Sequence, residues 1–549
     1  MNKKNQFIYT TILFAIILAS LAVYVIRSTS LNGNFQWESL LFFMGVVSFL
    51  VIVYYIIKHW QKKLLRFFYI LLSILAICFC IVLFGVTADM IPIFIAVNVS
   101  VVIVMYACDS FLDRKFNSKI PITTKYIITI LSCSIFTIFH VWNIIGSRQL
   151  LSALEKAKMY GYMLHPEECN EMYKKKIEYN KNGGELVLAS CKIIASYHQP
   201  ISQVFSKYDS DRQALEDAET LKKIEQALVS LENEFEILER GLSYPQQIIP
   251  IQFPELLEDV DSMNLSHLSY LNNTVKLLIY KFVYEIKSNK DKKSLNTLKQ
   301  IFKIAAMLEL EPLLISELVR NNIERLALKA IKMVMNDKIS KEILNEFLEI
   351  SRAQCVYRPL KLESEIMYLR SILTLYQKRK VPYFAGMFFV PSGLLKQDVA
   401  CGLEKIMHMV LIHKRGEKAV RYSLRSKAKE ERLSYWYFIS NMFLPALGSV
   451  NHSNFSRLAI ARCVFTSVQL RLHELRTKQF PTDIEFLVKE FPVCTSDPFT
   501  GKSLIYKKNL DECVVYSVGN DMKDGGGAVS GFDYTTRTKD IGISLRKEK

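Results

Sequence analysis

The sequence predicts a mainly α-helical protein in three parts: a five-helix transmembrane domain over 1–146, a large extracytoplasmic array of helical hairpins over 147–454, and a small α+β module over 455–549. Three observations carry this. Apolar residues crowd into the first 146 positions, although half of all 549 residues are apolar and the net charge is +17. Helical spacing of apolar residues dominates from about 150 to about 475. Turn and strand patterns appear only in the last 95 residues. With 20 Gly and 15 Pro in a chain of this length, collagen-like or low-complexity architecture is excluded.

Five apolar runs open the chain, at 7–26, 40–57, 67–86, 91–107 and 126–146. None contains Asp, Glu, Lys or Arg. About 20 helical residues cross a hydrocarbon core of about 30 Å, so each run reads as a spanning helix. The first is basic at its start (Lys3, Lys4) but too long for a signal peptide, and is expected to stay uncleaved. With the amino terminus inside, ten basic residues fall on the inner side and only Arg27 in the short outer loops. That bias predicts a multi-pass inner-membrane protein with a cytoplasmic amino terminus and a periplasmic carboxyl-terminal part. The expected partners are the lipid bilayer and an envelope protein. No basic patch with interleaved aromatics appears, so nucleic acid is not expected.

In the second part, Leu221, Ile224, Leu228, Leu231, Phe235 and Leu238 lie three and four apart, predicting one helix from about Ser210 to Arg240, stopped by Gly241. A second apolar face runs from Leu313 to Ile331. Pro312 suits its first turn, Asn336-Asp337 its end, and Ser340 the cap of the next helix. The stretch Val381–Leu395, broken by Pro382, Gly386 and Pro391, reads as a crossover between helices. His165 and Cys169, four apart, share a helix face without further metal ligands near them, and Glu363 and Glu365 diverge on a helix. No GxSxG, HExxH, Walker A or kinase motif occurs. Of the cysteines beyond the apolar runs, Cys494 and Cys513 flank the β-like segment and are the best candidate disulfide pair.

The last part carries the most specific pattern. A helix from about Phe455 to Arg476 leads to Phe480-Pro481. Asp497-Pro498 opens a turn that Gly501 closes. Leu504–Tyr506 and Val514–Ser517 read as a strand hairpin, followed by the Asp- and Gly-rich run Asp521–Gly527 and by Asp540-Ile541. Hard oxygen ligands on a bendable backbone suit calcium, and a bare surface turn is the alternative.

Phe480-Pro481, Asp497-Pro498-Phe499, Tyr506, Ser517, Gly519, Asp521, Gly525, Gly526 and Asp540-Ile541 together resemble the carboxyl-terminal region of type II secretion major pseudopilins. The resemblance implies a calcium loop, with Asp521, Asp524 and Asp540 as the side-chain ligands. Combined with Glu311-Pro-Leu-Leu-Ile-Ser-Glu-Leu-Val-Arg320, the module is also similar to a group of bacterial envelope proteins. The function expected from all this is a scaffold or interaction protein, an accessory to secretion or envelope assembly. An enzyme with a site assembled from distant helices is the alternative, and no catalytic residue is assigned.

Overall fold

The computed structural model describes residues 142–197, 218–253, 265–361, 365–370, 372, 392–426, 437–527 and 540–547. They fall into two compact units, one of 1–150 with 386–397 and one of 151–385 with 398–549. Helices dominate, as expected, and a small sheet lies near the carboxyl terminus.

The expected transmembrane domain is overturned. Among the described residues no helix is long and apolar enough to cross a membrane. The runs 7–26, 40–57, 67–86 and 91–107 lie outside the described residues, as does 126–141. The remainder of the fifth run, 142–146, belongs to a helix that continues to 159 through Arg148, Glu155, Lys156 and Lys158. Such a charged continuation cannot sit in hydrocarbon. The multi-pass inner-membrane location, with its periplasmic carboxyl-terminal part, falls with it.

In the smaller unit, Gly146 and Gly393 let two backbones meet. A Cβ on Gly146 would lie 2.2 Å from the Gly393 carbonyl oxygen. Lys396 Nζ then donates to Asn143 Oδ1 at 2.8 Å and to Ser147 Oγ at 2.9 Å.

After the helix that ends at 159, the larger unit continues with α1 (Pro166–Lys176) and α2 (Gly184–Ser196). The single long helix expected over 210–240 is instead two, α3 (Ala218–Ser230) and α4 (Glu232–Ser243), with the break at Leu231. Residues 198–217 lie outside the described set. Gly241 stops neither helix. It sits inside α4, where a Cβ would press on Val187 of α2 at 2.9 Å, so its role is close helix approach.

α5 (Ser266–Lys287) and α6 (Asp291–Met307) form a hairpin that buries Leu271, Leu278, Phe282, Ile301 and Ile304, among others. α7 (Leu314–Val334) packs on this hairpin, and α8 (Lys341–Gln354) follows it. Ser340 caps α8 as expected, accepting from the Ile343 amide at 3.4 Å. The chain continues through α9 (Ser392–Lys414) and α10 (Glu417–Ser426). Most of the 381–395 crossover lies outside the described residues.

α11 (Phe438–Thr477) is the 40-residue spine, beginning well before the expected Phe455. It packs against α7, α8, β2 and β3. The short α12 (Glu485–Glu490) precedes an antiparallel sheet in the order β1-β2-β3: Ile505–Lys508, Glu512–Ser517 and Ile541–Arg546. The hairpin was expected; the third strand was not. Val515 pairs with Tyr506 on one side and Ile543 on the other. Side chains of α7 and of the turn after it reach β3: Lys332 Nζ donates to the Gly542 carbonyl at 3.0 Å, and Asn336 Nδ2 to the Ser544 carbonyl at 3.2 Å. The Arg546 amide donates back to Asn336 Oδ1 at 2.9 Å.

Candidate functional site

The polar chemistry of the larger unit concentrates where α7 crosses α11. α7 opens under two carboxylates. Glu365 Oε1 accepts from the Leu314 amide at 2.8 Å, satisfying one of the free amides of the first turn. Glu311, just before the helix, accepts from Ser316 Oγ and meets His267 Nε2 at 3.0 Å. Both Glu311 and His267 are buried.

One turn further on, Glu317, Arg320 and Glu324 project from the same helix face, as spacings of three and four require. Arg320 meets Glu317 at 3.4 Å, Glu324 at 3.4 Å and Glu309 at 3.6 Å. Arg358 Nη1 donates to Glu324 Oε1 at 2.5 Å, and Arg457 of α11 lies 3.4 Å from Glu324 Oε2. The Arg320 Nε and Glu324 Oε2 contacts are ion pairs without hydrogen-bond geometry. Arg457 also donates to the Gln354 carbonyl at 3.1 Å, where α8 ends.

The two acids of α7 are driven apart. Burial pushes the Glu317 carboxyl above its ordinary range, with Arg320 opposing. Burial works against the Glu324 carboxylate too, but the guanidiniums of Arg457, Arg358 and Arg320 outweigh it and hold its pKa below the ordinary value. Burial lowers Arg457 itself to about 10. Carboxylates split in this way often mark acid–base catalysis. Here Glu317 is 5% exposed and Glu324 3%, so a substrate cannot reach them as they stand. The cluster is chemically suited to hold helices in register.

A second guanidinium extends the brace to the carboxyl-terminal module. Arg462, one and a half turns beyond Arg457, makes a two-pronged contact with Glu417, at 2.6 and 3.0 Å. It donates to the Cys355 carbonyl at 3.3 and 3.2 Å and to the Ser496 carbonyl at 3.1 Å. From α10, Arg421 Nε donates to the Pro498 carbonyl at 2.6 Å. Gly501, at φ +68°, leaves room for it: a Cβ there would lie 2.2 Å from Arg421 Nη1.

The Asp497-Pro498 turn is a hub. Asp497 Oδ1 accepts from the Phe499 amide at 2.9 Å and from Ser517 Oγ at 2.8 Å, and Oδ2 from the Val518 amide at 3.2 Å. This one buried carboxylate therefore ties the turn to the end of β2.

The three expected calcium ligands each accept from amides of the 523–527 turn. Asp540 is buried, its two oxygens accepting from the Gly525 amide at 3.1 Å and the Gly527 amide at 2.7 Å. Asp524 Oδ1 accepts from the Gly526 amide at 2.8 Å and from the Tyr516 hydroxyl at 2.9 Å, and these bonds lower its pKa. Asp521 accepts from the Lys523 amide at 3.1 Å, at the surface. Lys507 Nζ already donates to the Gly526 carbonyl at 2.9 Å. Among the described residues no group of three or more His, Cys, Asp or Glu side chains could hold a metal ion. As arranged, these residues form an amide-bound turn.

The remaining sequence candidates also part company. Cys169 is buried against the sulfurs of Met163 and Met367, while His165 faces Arg370. Cys494 and Cys513 are both free thiols, so the expected Cys494–Cys513 pair is not formed. Glu363 lies outside the described residues.

The sequence pattern singles out Glu311 to Arg320 but not Glu324, Arg358, Glu417, Arg457 and Arg462. One signal was available. Arg457 and Arg462 interrupt the apolar run Leu458-Ala-Ile-Ala461 and Cys463-Val-Phe465, and a charge inside such a run needs a buried partner.

Compared with family models, curated proteins and solved structures, the chain matches none. Its site is therefore read from its own geometry.

Proposed function

We propose that this chain is a helical scaffold that holds its carboxyl-terminal module rigidly as an interaction surface, in the class of accessories to a secretion-type assembly. The observation that carries this reading is Arg462. One buried guanidinium joins α11 to Glu417, to the end of α8 and to the turn before β1. Polar groups capable of chemistry at this crossing are spent on one another. The module, in contrast, presents apolar side chains outward: Phe486, Val493 and Leu510 are 41%, 54% and 96% exposed. A rigid mount with an apolar face serves binding, because little conformational freedom is lost on contact.

The test is a photo-reactive residue placed at Val493 or Leu510 in the full chain, cross-linked in cells. A discrete protein adduct is expected at one of these positions. It should weaken strongly in Arg462→Met, which releases the module. Adducts of equal intensity at both positions and at an exposed control such as Tyr422, or none at all, would overturn the scaffold reading.

A further inference from the structure

Three sulfurs converge at the start of α1. Cys169 Sγ lies 3.6 Å from Met163 Sδ and 3.8 Å from Met367 Sδ. Met163 precedes α1, Cys169 lies one turn into it, and Met367 comes from the helical stretch 365–370, 198 residues beyond Cys169.

Groups other than sulfur fasten these segments together. Arg370 Nη1 donates to the Leu164 carbonyl at 2.9 Å, which ties the Met367 stretch to the residue after Met163. Glu168 Oε2 accepts from the Leu164 amide at 2.7 Å, which ties that residue to the first turn of α1. Asn170 Nδ2 donates to the Phe253 carbonyl at 2.9 Å, and its Oδ1 accepts from the Phe253 amide at 2.8 Å. The sulfurs are thus brought together by a frame that does not depend on them.

We propose that Met163, Cys169 and Met367 form a binding site for one monovalent copper ion, held by one thiolate and two thioethers. Spacing is the first support. Two sulfurs that share one metal ion at about 2.3 Å lie about 3.8–4.0 Å apart, so the sulfurs need to open by only a few tenths of an ångström. The single thiol proton reaches one acceptor at a time, whereas a cation in its place can take all three sulfurs. Donor type is the second support, because soft thiolate and thioether ligands select Cu(I).

Charge is the third. Cys169 is fully buried, in a cluster with Tyr173, Ile251, Phe253 and Leu313. The Tyr173 hydroxyl donates to the Leu310 carbonyl at 3.3 Å. A divalent ion on one thiolate would bury a net charge in these surroundings, whereas Cu(I) and one thiolate sum to zero. On binding, Cys169 gives its proton to solvent, a sulfur–copper bond replaces the sulfur–hydrogen bond, and copper stays monovalent. Met163 is half-buried and gives the ion its way in.

The experiment titrates the full chain, reduced with a phosphine and kept anaerobic, with Cu(I) against a chelator whose Cu(I) complex is coloured. Wild type is expected to withdraw one copper equivalent more than Cys169→Ala at the same chelator concentration. The double change Met163→Leu with Met367→Leu removes both thioethers and keeps every thiol. Met-to-Leu swaps preserve core volume, so this variant decides the matter even where Cys169→Ala folds poorly. Outer-shell substitutions at metal sites cost about 10–100-fold in affinity, and loss of direct ligands should cost at least that. Zn(II), titrated in the same way, should bind independently of the two methionines. The proposal is overturned if the double variant holds copper as tightly as wild type, if Cys169→Ala takes up as many ions as wild type, or if zinc affinity falls in parallel with copper affinity.

Discussion

The α5–α6 hairpin and the α7–α11 crossing are both buried helix contacts in one unit, yet they are built from opposite materials. The hairpin closes over Leu271, Leu278, Phe282, Ile301 and Ile304. The crossing buries Glu317, Arg320, Glu324, Arg457 and Arg462. Apolar contacts are non-directional, so a hairpin can settle wherever volume is filled. Guanidinium–carboxylate contacts have direction and tolerate little displacement. The hairpin can therefore rely on a short connection to set its register. The crossing joins segments more than a hundred residues apart, and its charges define the register chemically.

The sharpest way to break this contrast is Glu324→Gln. It leaves Arg320, Arg358 and Arg457 around a neutral amide. Breaking a buried pair by removing one partner costs about 3–5 kcal/mol, and urea denaturation should show a loss of that size. Replacing Glu324 and Arg457 together with Leu should cost less than the sum of the single changes. A purely additive double variant would place the crossing on the same footing as the apolar hairpin.

A pH effect should come next in size. His413 is buried, with Asn451 Oδ1 at 2.5 Å from Nε2 and the Tyr357 hydroxyl on Nδ1. These partners suit the neutral ring with its proton on Nε2. Burial lowers its pKa from the ordinary 6.5 to about 4. Between those values the unfolded chain binds the proton and the folded chain does not. Stability is therefore lost as pH falls from about 6.5 to about 4, by about 3 kcal/mol. Urea midpoints across that range should fall more steeply in wild type than in His413→Gln. Parallel curves would remove His413 from the account.

The smallest effect sharpens the comparison from outside both contacts. Ser340→Ala removes the cap of α8 and should cost about 1 kcal/mol by the same denaturation assay. A cost as large as that of Glu324→Gln would mean that local helix signals, rather than the buried charges, set the packing.

These positions also show what was legible beforehand. The α7 face, the Ser340 cap and the β1–β2 hairpin rest on local spacing and turn chemistry, and these were read correctly. The Leu231 break was missed because an unbroken apolar stripe runs through it. Gly241 was misread because a helix stop and a close helix contact both call for glycine, and only the position of Val187 tells them apart. Strand β3 was missed because Asp540-Ile541 was assigned to a loop. The charged apolar-run pattern at Arg457 and Arg462 was visible, but its partners Glu324 and Glu417 lie on other helices, and no local rule connects them. The transmembrane expectation rested on uncharged apolar runs and on the placement of basic residues between them, and the described helices do not carry it.

The contacts of Lys332 and Asn336 with β3 have a consequence for self-association. In a strand, successive residues direct their backbone groups to opposite edges, so every second residue faces the same edge. Gly542, Ser544 and Arg546 are alternate, and the groups they offer to α7 and the turn after it are those facing away from β2. An open strand edge is a template on which another chain can add its own strand and propagate a fibre. Here a side chain of α7 and one from the turn after it occupy that template in place of a further strand. The opposite edge, β1, ends in Lys507 and Lys508, whose charges discourage pairing there. The sheet is thus closed to growth on one side by hydrogen bonding and on the other by repulsion.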